Sequence, residues 1–194
     1  MPLHSDEVVL SEKYAEALCW AFELHNGQIR KNLGMEQEPQ IPYFAHLIAV
    51  SALVVELGGS ECEAVSALFH DALEDGPDCL RRRRGLQKNF DELQTLRNEI
   101  AEEIERKFGV DVLNIVRMCS EDAAIVDKTK RKEAYLAQFV KSSASAQIVM
   151  LCDKLHNAES ILREHVRLGK NVWKKFSLGP KKHRTVLSKC ISIG

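Results

Sequence analysis

The chain has 194 residues, of which 45% are hydrophobic and 28% charged, and this balance predicts a single globular domain with a real core. Its formal net charge of −1 excludes a global attraction to nucleic acid or to an anionic membrane, so we expect neither as a partner. The longest apolar run, near LIAVSALVV, is too short to span a bilayer. The six cysteines form no CxxC pair and the acidic N-terminus lacks the apolar run of a signal peptide, so we expect reduced core thiols in a cytoplasmic protein.

Apolar residues recur at helical spacing along nearly the whole chain. Ser11 is typical of the N-cap of a first helix, YAEALCWAFELH, and a loop rich in Gly and Pro follows over residues 32–42. The next helix, FAHLIAVSALVVELG, is apolar nearly all round and is therefore predicted to be central. Gly58 and Gly59 end it, and Ser60 begins the helix ECEAVSALFHDALED.

The second half continues this pattern. Residues 76–92 are predicted to form a loop, whose arginine run at 81–84 we interpret as a solvated surface. Helical spacing resumes over residues 98–119, with a break at FGVD, and two further helices follow in KTKRKEAYLAQFVKS and SASAQIVMLCDKLHNAESILREH. We therefore expect one all-α domain over residues 1–194, a bundle of roughly six to eight helices with a helical tail over 170–194.

The stretch ALFHDALEDG, residues 67–76, combines a core-like helix pattern with an imidazole and three carboxylates. On a helix His70 and Asp71 share a face with Glu74 and Asp75, because residues three and four apart are neighbours. Burying several acids on one face is strongly destabilising unless a positive charge compensates them. A divalent metal ion does so, and carboxylate oxygens with imidazole nitrogens suit Mn²⁺, Fe²⁺, Mg²⁺ or Zn²⁺.

Two adjacent residues cannot fill a coordination sphere, so other helices must contribute. His46 and Asp153 each interrupt an apolar helix. Taken singly, His46 is explained as a satisfied core histidine and Asp153 as a partner of Lys154 or Arg131. Their combination with the adjacent His-Asp pair favours a shared metal site. The four predicted ligands are His46, His70, Asp71 and Asp153.

Five blocks between about residue 14 and residue 165 carry a family resemblance: HNGQIRK, PYFAH, ALFHDALED, KFGVDV and LCDKLHN. Together they resemble the HD superfamily of metal-dependent phosphohydrolases, in particular the hydrolase domain of the RelA/SpoT type and the small single-domain bacterial HD proteins. The resemblance implies an HD-domain helical bundle and a small-molecule nucleotide substrate. It implies removal of the 3′-pyrophosphate from guanosine tetra- and pentaphosphate alarmones, with release of pyrophosphate.

The resemblance also implies roles for individual residues. The metal would be held by the four ligands already named, most often as Mn²⁺, and would acidify a water and polarise a phosphoryl oxygen. Glu74 and Asp75 would orient the attacking water and transfer its proton. The expected substrate-binding residues are Arg30, Lys31, Tyr43 and Asn157. The expected supports of the ligands are His25, Gln28 and His156.

The sequence departs from the alarmone hydrolases at a few places. VRMCSED replaces their VTK-like block, and the segment between Lys31 and Tyr43 is longer. Two alternatives therefore stay open. One is an HD phosphohydrolase of another nucleotide or a phosphomonoester, and the other is a metal-binding regulatory module without catalysis. The intact acidic pair and ligand positions favour an enzyme.

Overall fold

The computed structural model describes residues 8–31, 39–122 and 124–175. In these ranges the chain forms eight α-helices and a terminal 3-10 helix, and they contain no strand, only an isolated bridge between Ile29 and Pro42. This confirms the prediction of an all-α fold. The helices are α1 (Glu12–Leu24), α2 (Phe44–Glu56), α3 (Glu61–Leu68), α4 (Gly76–Arg83), α5 (Phe90–Phe108), α6 (Val110–Cys119), α7 (Lys128–Lys141) and α8 (Ala144–Leu168), followed by the 3-10 helix Gly169–Lys175.

Helix boundaries follow the capping residues. The Ser11 side chain accepts a hydrogen bond from the Lys13 backbone at the start of α1, as predicted. Ser60 and Glu63 form a capping box at the start of α3, which satisfies two backbone donors reciprocally. Gly109, with a φ of 97°, separates α5 from α6 at the predicted break, because that conformation is strained for other residues.

The prediction of one continuous helix through the His-Asp pair is wrong. Helix α3 ends at Leu68, and residues 69–75 form consecutive turns. The turns remain wound like a helix, since the Asp75 backbone N–H bonds to Asp71 O at 2.9 Å. The chain therefore still projects the acidic pair one turn beyond the His-Asp pair.

The prediction of a loop over residues 76–92 is also wrong in its first half, where α4 lies, and at its end, where α5 begins at Phe90. Pro77 falls in the first turn of α4, a position where the missing N–H and fixed φ favour a helix start. Gly76 is buried, and a Cβ there would come within 3.2 Å of side-chain carbons of Ile100 and Leu24. The Gly-Pro pair therefore marks a close packing point against α1 and α5 and not a loop.

The arginine run at residues 81–84 lies at the end of α4 and is used within the fold. Arg81 pairs with Asp78 at 3.0 Å, and Arg84 pairs with Glu99 of α5 at 2.5 Å. Arg83 donates to the Glu23 carbonyl of α1. Arg83 and Arg84 thus tie α4 to α1 and α5, and all three arginines lie at the end of the helix where positive charge is favourable.

Two buried clusters meet at the centre of the molecule. In the first, Phe69 packs against Trp20 and Phe108 with ring centroids 5.0 Å apart in each pair. The second joins α2, α6, α7 and α8 around residues such as Val50 and Met150. Burial of each large apolar side chain contributes about 1.5–3 kcal/mol, so both clusters hold the helices firmly. Phe69 directly precedes His70, so the packing of Phe69 holds the turn segment that carries His70 in place.

The cysteines follow the prediction in part. Cys79, Cys119 and Cys152 are buried, Cys62 is half-buried, and all are free thiols. Cys19, expected in the core, is exposed on α1. Cys190 lies outside the described residues, as does the predicted tail beyond residue 175.

Among the helices of the described residues, none combines the length and the apolar character that a membrane span needs.

Candidate metal centre

Three of the four predicted ligands converge. His46 on α2, His70 in the turn after α3 and Asp153 on α8 are 1%, 2% and 6% exposed. Each offers a donor atom, and these atoms all lie within 4.8 Å of one another. The Asp153 Oδ1 atom lies 3.1 Å from His46 Nε2 and 3.7 Å from His70 Nε2. Two imidazoles and a carboxylate are a donor set that suits a divalent transition metal.

Asp71, the fourth predicted ligand, lies beside this cluster and outside the set of mutually close donors. Its Oδ2 atom is 3.0 Å from His70 Nε2 and accepts a hydrogen bond from the Tyr43 hydroxyl. Burial and then the Asp71 charge raise the pKa of Tyr43 well above its ordinary value, which keeps the phenol protonated as a donor. Tyr43, which was expected to bind substrate, is therefore engaged with Asp71.

The nitrogen of His70 that faces the carboxylates is well suited to a cation. His70 Nδ1 lies 2.8 Å from the Ala67 carbonyl, which can only accept, so Nδ1 carries the proton. Nε2 is buried and faces two carboxylate oxygens, Asp71 Oδ2 at 3.0 Å and Asp153 Oδ1 at 3.7 Å. Burial opposes charge on this ring, but Asp71 and Asp153 outweigh it and raise the pKa of His70 to about 9. The surroundings thus attract positive charge to Nε2, and the residues fit a divalent ion.

His46 is oriented by a second histidine. The Nδ1 atoms of His46 and His156 lie 2.7 Å apart, so one of them donates a hydrogen bond to the other. Burial, followed by the nearby His46, lowers the pKa of His156 to about 4, and His156 is therefore neutral. If His46 is the donor, its Nε2 presents a lone pair beside Asp153, as a metal ligand requires. This arrangement agrees with the supporting role expected of His156.

The acidic pair is held by two different contacts. Glu74 Oε1 accepts a hydrogen bond of 2.7 Å from the backbone of Glu121, and burial followed by the Asp71 charge raises its pKa to about 7. Asp75 Oδ2 accepts a hydrogen bond of 2.7 Å from Gln28, and burial followed by Asp71 also raises its pKa. Both carboxyl groups therefore have a higher proton affinity than free carboxylates.

Gln28 is itself held by His25, whose Nδ1 lies 2.7 Å from Gln28 Oε1. His25 is 1% exposed, and burial lowers its pKa. This hydrogen-bond chain runs from His25 through Gln28 to Asp75, so it ends at the acidic pair, whereas both residues were expected to support the metal ligands.

Of the predicted substrate-binding residues, Arg30 and Asn157 reach the cluster through hydrogen bonds, whereas Lys31 lies at the surface. Arg30 Nη2 donates to Asn157 Oδ1 at 2.9 Å, and the Asn157 amide donates to Asp153, so these two reach the cluster. Lys31 is exposed. The bridge between Ile29 and Pro42 brings the segment of Arg30 beside that of Tyr43.

Sequence reasoning missed one contact and named a second only as an alternative to metal binding. Glu121, in the segment VRMCSED, holds Glu74 through its backbone, and its carboxylate pairs with Lys132 and lies 3.8 Å from Arg131. Lys154 was considered only as an alternative partner of Asp153, yet it bonds Asp153 Oδ2 at 2.6 Å while Oδ1 faces the imidazoles. The sequence carries no signal for the first contact. The adjacency of Asp153 and Lys154 was a signal for the second.

Comparison with known proteins defines the class. The sequence profile of the HD domain matches residues 17–177, and the chain belongs to the HD domain family.

Among curated relatives, the guanosine-3′,5′-bis(diphosphate) 3′-pyrophosphohydrolase MESH1 of Xenopus tropicalis is 31% identical over 150 residues, which are 76% of this chain and 69% of that protein. MESH1 of Drosophila melanogaster is 30% identical over 154 residues, 78% of this chain and 70% of that protein. A probable enzyme of the same name from Synechocystis is 28% identical over 75% of this chain but 16% of its own length.

A solved structure shares the fold. It is that of a metazoan ortholog of SpoT, described as hydrolysing ppGpp, with a TM-score of 0.61 and 23% identity over 96% of this chain and 97% of that one. The likeness confirms the predicted HD-domain architecture.

Proposed function

We propose that this protein is a metal-dependent phosphohydrolase that removes the 3′-pyrophosphate from guanosine alarmones of the ppGpp and pppGpp type. Water would add across the bond between the ribose 3′ oxygen and the pyrophosphate, leaving GDP or GTP and free pyrophosphate. The observation that carries the proposal is the buried convergence of His46, His70 and Asp153, with Asp71 beside them. The names of the MESH1 relatives support the substrate.

The metal would be held by His46, His70 and Asp153 together with Asp71. We propose Mn²⁺ as the ion. When bound, it supplies Lewis-acid chemistry toward a phosphoryl oxygen and toward the attacking water.

Glu74 is proposed to accept the proton of that water. Its pKa of about 7 allows it to take up and release a proton near neutral pH, and the Glu121 backbone fixes the carboxylate. Asp75 would orient the water from the position that Gln28 gives it.

Arg30, Lys31 and Asn157 are proposed to bind the nucleotide. The contact of Arg30 with Asn157 brings a guanidinium next to the ligands, where it can pair with phosphate oxygens. Lys31 is exposed and free to reach a phosphate as a point charge. Tyr43, which borders Asp71, is proposed to contact the ribose edge of the substrate.

A product assay with Mn²⁺ tests the proposal. The panel contains ppGpp, pppGpp, ordinary nucleoside mono- and triphosphates, a dinucleotide cofactor and a generic phosphodiester. We expect pyrophosphate release from the two alarmones alone. Turnover of another nucleotide or a phosphomonoester would identify a different HD phosphohydrolase, and bound metal without turnover of any compound would identify a regulatory module.

A further inference from the structure

The carboxylate of Asp153 has two different environments at its two oxygens. Oδ1 faces the Nε2 atoms of His46 and His70, whereas Oδ2 accepts a hydrogen bond of 2.6 Å from Lys154 Nζ. Lys154 occupies Oδ2, so Oδ1 is the oxygen directed at the imidazoles; it also accepts a hydrogen bond from the Asn157 amide and keeps a further lone pair for a cation. Among the ion pairs of the described residues, this is the one that joins a lysine or arginine to a proposed ligand.

This contact requires a special conformation of Lys154. Adjacent residues on a helix do not face each other, so the Lys154 side chain must bend back along α8 to reach Asp153. A long flexible side chain loses conformational entropy when it is held in this way. A further interaction that holds the side chain in place would offset this cost.

Tyr135 on α7 supplies that interaction. Lys154 Nζ lies 4.9 Å from the centroid of the Tyr135 ring, within the range of a cation–π contact. The Tyr135 side chain is 5% exposed, and the Lys154 side chain is 20% exposed. The contact is largely shielded from water, which strengthens it.

We propose that Lys154 is a positioning residue, seated on Tyr135, which restrains Asp153 so that it presents a single oxygen to the metal. The proposal rests on the metal-dependent function proposed above. It assigns to α7, which contributes no proposed ligand, a part in the geometry of the centre.

Two physical roles of Lys154 predict opposite results. If its charge acts only through space, removal of a positive charge beside the site should tighten the binding of a cation. If Lys154 positions Asp153, its removal frees Oδ2 and should weaken binding by roughly tenfold, the effect typical of lost partners of metal ligands. The sign of the change therefore distinguishes the two roles.

The experiment measures Mn²⁺ affinity without substrate, by titrating the full chain and following the electron paramagnetic resonance signal of free Mn²⁺. We expect Lys154→Met to bind roughly tenfold more weakly and Lys154→Arg to recover most of the loss, because a guanidinium can also donate to Oδ2 and lie on the ring. The matched control, Lys141→Met on exposed α7 surface, should bind as the wild type does. Equal or tighter binding by folded Lys154→Met would overturn the proposal.

A second pair of variants tests the ring without touching α8. Tyr135→Phe keeps the aromatic face and should bind Mn²⁺ as the wild type does, whereas Tyr135→Leu should bind it roughly threefold more weakly. Equal Mn²⁺ affinity of Tyr135→Phe and Tyr135→Leu would overturn the role of Tyr135. This comparison can be made even where Lys154→Met fails to fold.

Failure of the proposed function would look different. A wild type that binds Mn²⁺ in a Lys154-dependent manner but hydrolyses no alarmone would refute the substrate and support the positioning role. Alarmone hydrolysis by the wild type, with Mn²⁺ affinity unchanged in Lys154→Met, would support the substrate and refute the positioning role. A wild type that binds no Mn²⁺ would overturn both.

Discussion

Asp153 and Glu74 are both carboxylates of the same buried site, but their surroundings push their proton affinities in opposite directions. Burial opposes charge at Asp153, but Lys154 and then His46 hold its pKa well below the ordinary value. At Glu74 burial is the largest cause that raises the pKa, and the negative charges of Asp71 and Glu121 raise it further, to about 7. One carboxylate is thus kept anionic, as a metal ligand must be, and the other is suited to exchange a proton.

Removal of Asp153, the carboxylate that is kept anionic, should have the largest effect of the substitutions considered. We expect Asp153→Ala to lose metal binding and to reduce turnover by on the order of 1000-fold or more, since the ion contributes several kcal/mol to such reactions. Calorimetric Mn²⁺ titration and pyrophosphate release measure the two effects. The control is Asp78→Asn, an acid paired with Arg81 on α4. Tight metal binding by Asp153→Ala would refute its assignment as a ligand.

Replacing the proton-exchanging partner should separate binding from chemistry. Glu74→Gln should retain Mn²⁺ affinity while kcat falls by about 100- to 10,000-fold, the range for loss of a general acid or base. The matched control is Glu102→Gln, on the exposed face of α5. A kcat within a few-fold of the wild type would remove Glu74 from the mechanism, and loss of metal would make it a ligand.

Substitution of His156 tests whether this residue orients the ring of His46. We expect His156→Leu to weaken Mn²⁺ binding by about tenfold, because the Nδ1 atom of His46 loses its partner and the ring can turn. The same titration measures it, with His165→Leu near the end of α8 as control. An unchanged affinity would show that packing alone orients His46.

The smallest effect concerns stability in the absence of metal. A carboxyl group whose pKa is raised from 4.5 to about 7 by folding binds its proton more tightly in the folded state. Its ionisation therefore costs stability, and this cost grows as the pH rises from 4.5 to about 7 and is complete above that. The melting temperature of metal-free wild type should fall across this window by more than that of Glu74→Gln. Parallel curves for the two proteins would contradict the raised pKa.

Most of the fold was predictable because apolar spacing and capping residues are local signals. Ser11, Ser60 and Gly109 mark helix boundaries in the sequence and in the structure. The errors arose where tertiary packing reverses a local signal. Gly76 and Pro77 indicate a loop by composition, yet the pair starts α4, where Gly76 packs closely against Leu24 and Ile100 and Pro77 suits the first helical turn.

Part of the site was also predictable from the sequence. Isolated polar residues in apolar helices identified His46 and Asp153, since burial of such groups demands a partner. The hydrogen bond from the Glu121 backbone to Glu74 could not be predicted, because any residue carries that donor. The position of Tyr135 against Lys154 depends on how α7 docks on α8, which no local pattern of residues encodes.

The bridge between Ile29 and Pro42 has a consequence for how such a protein can diversify. The Arg30 N–H bonds to the Ile41 carbonyl at 2.9 Å, and the Tyr43 N–H bonds to the Gln28 carbonyl at 2.8 Å, so both ends of the intervening segment are fastened. Once two ends are tied, each doubling of the enclosed length adds only about 0.6 kcal/mol of closure entropy. Insertions and deletions between these two ends can therefore accumulate while Arg30 and Tyr43 keep their places.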